Sequence, residues 1–596
     1  MPDQKGSLLL QLPLNPSAPF SATGNVPLAG ASLASAAGLP PETLLDQEVT
    51  DIEGDRSLAD TIAERSPELV AFTLYMWNVE RSIWLAKTLK DRQPGIITVA
   101  GGPEVTEDNE WLISSGAFDL MVSGEGEELA DRILNPVSAG NIIRQNGNFL
   151  DTGRMSFIPG TYSNPWLTGY LDPSGRPSVY VETIRGCSGG CTYCSYRRNH
   201  PSPRIMNAKN ASELLRSLIS AGAGEIVFLD PTFNSRGDLI ELLAGMSRMN
   251  SNFFAEMRGE LISPGIASLI ADAGFKSVEI GLQSVNMETL IRVGRPVNPV
   301  EILEGALNLK KEGVKPILDI ILGLPGDKPE DAIRTALMIK DRNLHQNMQV
   351  FYLSILPGTS MRQEFLKQYM PRPPYYRLIE KSLNDFADAR EEIADIAGYD
   401  LDLAGRPILF ENWEGTELID LSNNPGLIRK MPSFRQGAIR FISEDLWMER
   451  KLLLEFVRTR LNADPFCVLD VVLCPEKAFP LNLVDLIRKL DEPVDYSGRT
   501  AAILGRQGNL RVSILIDNQK MFSTNWMTAA SANCTVVVNV NSPSELRNEL
   551  WEAGVCVRLP GSNWDMKELS LLATSMHQVF FADRQMENSW SKFMDL

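Results

Sequence analysis

The stretch Cys187-Ser-Gly-Gly-Cys191-Thr-Tyr-Cys194 places three cysteines within eight residues of a chain of 596. Cysteine thiolates at these spacings can ligate three corners of one [4Fe–4S] cluster. The neighbouring glycines let the backbone curl closely around a cluster, because they carry no Cβ. The next cysteine along the chain is Cys467, far away in sequence. The spacing therefore predicts a cluster with one iron left free to bind a ligand.

A structural zinc site is the alternative for these three thiols. Zinc prefers four ligands, usually as two separated pairs, and His200 could complete a set. The total of seven cysteines is odd, which argues against a disulfide framework in a large chain. The other cysteines are scattered and are expected to be small core residues rather than ligands of a second cluster: Cys467, Cys474, Cys534 and Cys556.

The cysteine loop follows the first of six predicted strand–helix units, within a domain expected at residues 178–370. Such a series predicts a partial (β/α)6 barrel, in which functional residues gather at the carboxyl ends of the strands. The cysteines lie at such an end, as a catalytic loop should. The predicted strands are residues 179–183, 225–229, 254–257, 277–281, 316–321 and 348–353.

The flanking regions predict further domains. Residues 1–135 alternate short apolar runs with helical stretches, the pattern of a doubly wound, Rossmann-like α/β domain. Residues 136–177 are rich in Asn, Gly, Pro and Ser and are expected to be a linker over the surface. Residues 371–596 are predicted to form an α+β domain that caps the barrel and shapes the substrate site.

Composition excludes some classes of function. The chain has 57 Lys and Arg against 75 Asp and Glu, a net charge of −18, which disfavours binding to a nucleic acid backbone. No run of about 18 apolar residues predicts a membrane span. The first residues do not resemble a signal peptide. We therefore expect a cytoplasmic, monomeric protein without membrane or nucleic acid partners.

The motif CxxxCxxC with an aromatic residue before its last cysteine resembles the signature of the radical S-adenosylmethionine (SAM) superfamily. Residues 228–234, 279–284 and 320–325 also resemble strand ends of that barrel. The resemblance implies that SAM chelates the free iron and is cleaved to a 5′-deoxyadenosyl radical. It implies SAM contacts from Tyr193, Asp230, Thr232, Arg258, Glu279, Gln283, Ser284 and Leu356, with Glu279 catalytic. A salt-bridged rim is an equal alternative for Glu256, Arg258 and Glu260.

Three further loops, residues 73–80, 101–106 and 123–128, resemble the cobalamin-binding domain fused to many radical SAM enzymes. The resemblance places Tyr75, Met76 and Trp77 under the corrin ring. No histidine precedes His200, so none from this domain could ligate cobalt. A domain that has lost cobalamin is the alternative, and Asn78 is also explained as a helix cap. Around the nucleotide tail the resemblance places Gly101, Gly102, Pro103, Glu104, Val105, Ser123, Gly124, Glu125 and Gly126.

These features together predict a cobalamin-dependent radical SAM methyltransferase. The expected reaction moves a methyl group from SAM, via methylcobalamin, to a carbon of a small-molecule or peptide natural-product precursor, such as tryptophan in antibiotic biosynthesis. The electron would come from flavodoxin or ferredoxin. The layout also resembles the anaerobic magnesium-protoporphyrin ester cyclase group, so a ring-forming enzyme with the same cofactors is an alternative. A cobalamin-independent relative and a non-catalytic sensor are the others.

Overall fold

The computed structural model describes residues 6–14, 25–153, 156–196, 202–365, 376, 381–398, 401, 417–420, 433–490, 509–545, 550, 553–561, 564–565, 579–583, 585–587 and 589–590. The chain divides into two compact units. The first holds Met1–Leu12, Thr23–Gln47 and Arg65–Leu403, and the second holds Pro13–Ala22, Glu48–Glu64 and Ala404–Leu596. Residues 13–22 and 48–64, which the sequence placed in the first domain, therefore belong to the second unit.

The first unit begins with a parallel sheet of five strands in the order β1 to β5. Leu9 pairs with Ala71 on one side and forms a parallel bridge to Leu44 on the other. The chain therefore adds first to one side of β1 and then to the other, which is the topological switch of a doubly wound fold. This confirms the predicted class. The strands are Ser7–Leu10 (β1), Leu69–Thr73 (β2), Ile97–Gly101 (β3), Leu120–Ser123 (β4) and Phe149–Asp151 (β5).

Helices accompany this sheet along the chain. They are Leu28–Ala36 (α1), Gln47–Ile52 (α2), Asp55–Arg65 (α3), Val79–Arg92 (α4), Glu110–Ile113 (α5), Ala130–Ile133 (α6) and Pro136–Asn146 (α7). Both α7 and β5 lie within the predicted linker. Further along it, Trp166 and Leu171 are buried in the barrel core, and Trp166 Nε1 donates to the carbonyl of Tyr180 at 2.9 Å. This stretch is thus structured and packed.

The barrel contains six parallel strand positions, as expected. Its sheets run β6–β9–β10 and β11–β12–β13–β14, and β10 and β11 are two parts of one strand interrupted at Ala255. The strands are Val179–Val181 (β6), Glu225–Phe228 (β9), Asn252–Phe254 (β10), Glu256–Met257 (β11), Ser277–Gln283 (β12), Lys315–Leu322 (β13) and Met348–Tyr352 (β14). An antiparallel pair, Ile184–Arg185 (β7) and Arg204–Ile205 (β8), brackets the cysteine loop.

Helices cover the outside of the barrel. They are Ala208–Ser220 (α8), Leu239–Met246 (α9), Pro264–Ala273 (α10), Met287–Arg292 (α11), Pro299–Lys311 (α12), Pro329–Asp341 (α13), Ser360–Phe365 (α14) and Lys381–Ala397 (α15). Because helices cover one face of strand β12, its side chains alternate between that face and the concave face. Val278, Ile280 and Leu282 are buried in the core with the helices, whereas Glu279 and Gln283 alternate with them and lie on the concave face.

The second unit corrects the predicted α+β class. Its sheet has seven strands in chain order, and every described pair is parallel, so the domain is α/β. Strand β17 is buried along its whole length, as parallel strands covered on both faces are. The strands are Glu417–Asp420 (β15), Gln436–Ser443 (β16), Val468–Pro475 (β17), Leu510–Ile516 (β18), Thr535–Asn539 (β19), Cys556–Leu559 (β20) and Val579–Phe581 (β21).

Three further helices belong to this sheet: Arg450–Ala463 (α16), Pro480–Leu490 (α17) and Thr524–Ser531 (α18). Helix α3 also joins this unit, because the Asp55 carboxylate accepts from the Phe466 amide at 2.7 Å. The predicted core cysteines Cys467, Cys474 and Cys556 are buried, and Cys534 is half-buried. In the described part of the chain, no helix is long and apolar enough to cross a membrane.

Candidate active site

The cysteine loop leaves β7 and returns at β8. Cys187, Cys191 and Cys194 are free thiols and are all partly exposed. The Gly189 amide donates to Cys187 Sγ at 3.3 Å. Gly294 has a φ of +75°, and a Cβ on it would lie 2.2 Å from the carbonyl oxygen of Gly190. The loop is therefore supported by a close backbone contact that only glycine permits.

Zinc ligation was the alternative for this loop. Among the described residues, no group of three or more His, Cys, Asp or Glu side chains converges as ligands of a single metal ion. In a cubane cluster each thiolate takes its own iron. His200, the proposed fourth ligand, lies outside the described residues.

Three polar atoms near the carboxyl ends of β12 and β13 are buried without a hydrogen-bond partner: Gln283 Oε1, Arg295 Nε and Asp319 Oδ1. Arg295 Nη2 donates to the carbonyl of Gly281 at 2.6 Å, and its guanidinium also interacts with Cys191. Unpaired buried polar atoms cost about 1–3 kcal/mol each. This corner of the barrel therefore fits a polar ligand beside the cluster loop, as the amino-acid and ribose groups of SAM are.

The backbone at the end of β12 is also unusual. The pairing of β12 with β13 shifts register between Gly281 and Gln283, and Gln283 has a φ of +71°. A Cβ on Gly281 would lie 2.3 Å from Gln283 Nε2. Strained positions of this kind persist where the surrounding structure enforces them, often at ligand sites. The distortion turns the Gln283 side chain toward Gly281 and Arg295.

Three carboxylates line the concave face on adjacent strands. Glu256 pairs in register with Glu279, and Asp319 lies on β13 beside them. Burial, together with the charge of Glu279, raises the pKa of Glu256 to about 7. Burial also raises the pKa of Glu279, and burial and Glu279 raise the pKa of Asp319 well above its usual range. These three carboxylates thus raise one another's tendency to hold a proton.

Two predicted SAM contacts, Asp230 and Thr232, make hydrogen bonds within the protein. The buried Asp230 carboxylate accepts from the amides of Thr183 and Ile184 at 2.6 and 2.8 Å. Burial raises the pKa of Asp230 to about 7 despite these bonds. The Thr232 hydroxyl lies 2.7 Å from that of Ser235. These side chains are engaged within the protein, so their predicted contact with SAM stays a prediction.

The remaining residues predicted to contact SAM lie in different environments. Arg258 pairs with Glu260 at 2.6 Å, the salt-bridged arrangement given as the alternative. Ser284 is fully buried, and its hydroxyl donates to Asp327 at 3.1 Å. The turn that begins at Leu356 lies beside the cluster loop. The Tyr193 ring packs against a small core of Val293, Leu324, Leu353, Ile355 and Met361.

Four site residues were missed from the sequence: Glu182, Tyr196, Arg295 and Asp319. Tyr196 follows the last cysteine by two residues and interacts with Glu256, Cys194 and Glu182. That nearness to Cys194 was the one available signal. Arg295 follows a helix and belongs to no local motif, so only the fold places it here. Asp319 is the one acid in the apolar strand β13, and an acid in such a strand could have indicated a site residue.

The loop after β2 is rigidly held at the topological switch. Asn78 Nδ2 donates to the carbonyls of Leu12 and Thr73 at 3.0 and 3.1 Å, and its Oδ1 accepts from the Tyr75 amide at 2.8 Å. Asn78 makes no cap bond to the following helix, which corrects the simpler explanation. The rings of Tyr75 and Trp77 stack with centroids 4.3 Å apart. Burial and the charge of Glu182 raise the pKa of Tyr75.

The other two predicted cobalamin loops turn at glycines. Gly102 has a φ of +104° and Gly124 a φ of +92°. The side chains of Glu104 and Glu125 are bonded to Tyr376 and Arg204. Val105 and Ser123 are buried, whereas Met76, Gly101, Gly126 and Pro103 are more exposed. These loops offer backbone and small groups, together with an aromatic pair and no histidine, which fits a cobalamin without a histidine ligand.

Comparison with known proteins identifies two domains. Residues 181–339 match the radical SAM superfamily, and residues 31–134 match the B12 binding domain. The chain therefore combines a B12 binding domain with a domain of the radical SAM superfamily, as the sequence motifs predicted. These two domains imply a [4Fe–4S] cluster, SAM and cobalamin as cofactors, as predicted.

Several curated proteins are similar to this chain. An uncharacterized methyltransferase of Pyrococcus horikoshii is 24% identical over 51% of this chain and 70% of its own length. A 2-(S-pantetheinyl)-carbapenam-3-carboxylate methyltransferase of Streptantibioticus cattleyicolor is 22% identical over 52% of this chain, and it is matched over 49% of its length. The hopanoid C-3 methylase of Methylococcus capsulatus is 25% identical over 43% of this chain and 53% of its own. The chain thus spans about half the length of the latter two.

A solved structure also matches. It is the radical SAM methyltransferase TsrM of Kitasatospora setae with cobalamin and a [4Fe–4S] cluster bound. The match has a TM-score of 0.48 at 15% identity and covers 65% of this chain and 89% of that one.

Proposed function

We propose that this enzyme transfers a methyl group from SAM to a carbon atom of a small molecule or peptide. The observation that carries the proposal is the ion pair of Glu127 with Arg185 at 2.7 Å, because it brings a loop of the predicted cobalamin domain to the start of the cysteine loop. The cluster supplies the electron that cleaves SAM, and cobalamin carries the methyl group. The named methyltransferases among the relatives support this choice.

The chain's own residues have distinct tasks in this proposal. Cys187, Cys191 and Cys194 hold three irons. The Arg295 guanidinium, close to Cys191, suits the carboxylate of SAM. The Glu279 carboxylate accepts hydrogen bonds from the SAM ribose or the substrate. The unpaired acceptors Gln283 Oε1 and Asp319 Oδ1 accept further bonds, and the three side chains together fix the orientation of the bound molecule.

The stacked pair of Tyr75 and Trp77 would cover the lower face of the corrin ring. Neither side chain offers a nitrogen that binds cobalt well, since the indole nitrogen is only a donor. Cobalamin held on this loop would supply a nucleophile that can carry a methyl group. The aromatic pair therefore suits a methyl carrier.

We propose a natural-product precursor as the substrate, with tryptophan as a first compound to test, and flavodoxin or ferredoxin as electron donor. The net charge of −18 disfavours a nucleic acid substrate.

The first half of the reaction tests the proposal without a known acceptor. Anaerobically reconstituted protein, reduced in the presence of cobalamin, should convert SAM carrying a deuterated methyl group into S-adenosylhomocysteine. Mass spectrometry should then find the labelled methyl group on cobalamin. Formation of 5′-deoxyadenosine alone, with no S-adenosylhomocysteine, would favour the ring-forming alternative and contradict methyl transfer.

A further inference from the structure

The loop after β3 is bonded to the barrel through acidic side chains. The Asp108 carboxylate accepts from the Gly358 amide at 2.9 and 3.1 Å and lies 3.6 Å from Arg362 Nε. The Glu104 carboxylate accepts from the hydroxyl of Tyr376, which is fully buried. Gly358 belongs to the turn that the superfamily resemblance places beside the SAM adenine. Asp108 therefore joins a predicted cobalamin loop to a predicted SAM turn.

The loop after β4 makes an equivalent pair of contacts. The Glu127 carboxylate pairs with Arg185 at 2.7 Å, and Arg185 precedes the first cluster cysteine by two residues. Glu125 pairs with Arg204, on the strand that closes the cysteine loop, and both side chains are buried. The guanidinium groups of Arg185 and Arg204 both pack on the ring of Phe157, with their Cζ atoms 4.7 and 5.3 Å from the ring centroid. This loop is thus joined to both ends of the cluster loop.

Charge is complementary throughout these contacts. The cobalamin-domain loops contribute the carboxylates, and the barrel contributes arginines, an amide N–H and a phenol. Charge-assisted hydrogen bonds with buried partners are stronger than neutral ones and fix geometry. A change in the order of one loop must therefore alter the order of its partner on the barrel.

We propose that Asp108 and Glu127 are positioning residues that couple cobalamin binding to SAM binding. This inference rests on the proposed use of both cofactors at one site. Cobalamin bound between the loops after β3 and β4 restricts them. Through Asp108 it restricts the turn at Gly358, and through Glu127 it restricts the start of the cluster loop. SAM then binds loops that cobalamin has already ordered, so the affinity for SAM rises. By thermodynamic linkage, SAM must raise the affinity for cobalamin by the same factor.

Binding measurements test this coupling without turnover. The oxidised cluster does not cleave SAM, and hydroxocobalamin does not accept its methyl group, so both ligands can be titrated at equilibrium. Hydroxocobalamin should lower the Kd of SAM by about fivefold or more in the wild-type protein, the smaller end of typical couplings. Asp108→Asn and Glu127→Gln should each bind both cofactors but reduce this factor toward one. Hydrogen exchange at residues 356–361 should slow on cobalamin addition only in the wild type.

Matched controls lie on the loop after β3 and on helix α6, directly after the loop that follows β4. Glu107→Gln and Asp131→Asn change exposed acids and should retain the full coupling. An equal SAM affinity with and without cobalamin in the wild type would overturn the inference, as would full coupling in both Asp108→Asn and Glu127→Gln. Should Asp108→Asn fail to fold, Glu127→Gln and Tyr376→Phe decide. Because no product forms in this assay, failure of methyl transfer would leave its result standing.

Discussion

The carboxyl groups of Glu279 and Asp319 lie within hydrogen-bonding reach of each other across β12 and β13, through an oxygen other than the unpaired Asp319 Oδ1, although both are acids. Two carboxylates share a hydrogen bond only when one of them carries a proton. Burial and the neighbouring carboxylate raise the pKa of Asp319 well above its usual range, which keeps that proton in place. The pair behaves as one titrating unit in the cofactor-free protein.

This pair predicts a pH-dependent stability difference. The native pKa of Asp319 is raised, so its contribution to stability is present below its unfolded value of 3.8 and is lost as the pH rises through the native pKa. Asp319→Asn removes that loss. We expect the cofactor-free variant to melt about 2–4 °C above the wild type at pH 8, the change that about 1 kcal/mol produces in a large domain, and to show no gain at pH 4. A gain of equal size at both values would contradict the assignment.

The three cluster cysteines should be dispensable for folding but not for iron. Each is partly exposed, so replacement by Ala removes little packing. The variant Cys187→Ala, Cys191→Ala, Cys194→Ala should keep the wild-type circular dichroism, bind almost no iron or sulfide after reconstitution and release no 5′-deoxyadenosine. Cys534→Ala, a half-buried cysteine in the other unit, is the matched control and should retain a full cluster. Residual SAM cleavage by the triple variant would refute the cluster assignment.

Arg295 should control SAM affinity without controlling the cluster. Replacing it with Met keeps much of the packing but removes the charge near Cys191. We expect the Kd of SAM to rise at least about tenfold, equivalent to about 1.4 kcal/mol, with iron content unchanged. Lys276→Gln removes an exposed cation from the same barrel and should leave the Kd unaltered. Equal affinities in the two variants would show that Arg295 does not face SAM.

The lower face of cobalamin can be tested by supplying the missing ligand. Trp77→His places an imidazole on the loop where Trp77 stacks on Tyr75. The Co(II) electron paramagnetic resonance spectrum of wild-type protein should lack nitrogen superhyperfine splitting from a lower ligand, and that of Trp77→His should acquire it. Trp111→His, on helix α5, provides the control and should resemble the wild type. Splitting already present in the wild type would contradict the proposed arrangement.

Gly294 should be required for cluster assembly because its Cβ would meet the Gly190 carbonyl at 2.2 Å. Gly294→Ala should lower iron incorporation severely. Gly313→Ala is a close control, since Gly313 also has a positive φ, +80°, but no atom lies within 4 Å of its Cβ. The control should show only the backbone strain, about 1 kcal/mol of stability, with iron retained. Similar iron loss in both would assign the effect to strain alone.

Local patterns were sufficient to predict the cluster loop and the barrel. The spacing of three cysteines and a period-two alternation such as that of residues 277–283 are both short-range features. Arg295 and Glu182 could not be found this way, because each acquires its role only when strands distant in sequence become neighbours. The class of the second unit was missed for a related reason: a buried apolar run such as β17 does not reveal whether its neighbour is parallel.

Helix α3 shows the same limit at the level of domains. Its sequence has the amphipathic pattern of any surface helix in an α/β domain, and nothing in residues 55–65 distinguishes one sheet from another. The Asp55 contact with the Phe466 amide spans more than four hundred positions, with a separation of 411. Only the folded chain reveals that partner.

Asn78 hydrogen-bonds the backbone that follows β1 and the end of β2 through its own side chain. The chain itself therefore supports the platform of Tyr75 and Trp77. A host that neither makes nor imports corrinoids should still yield protein with this platform intact. Purified protein can then be loaded afterwards with natural or chemically altered corrinoids, chosen by their upper ligand and metal.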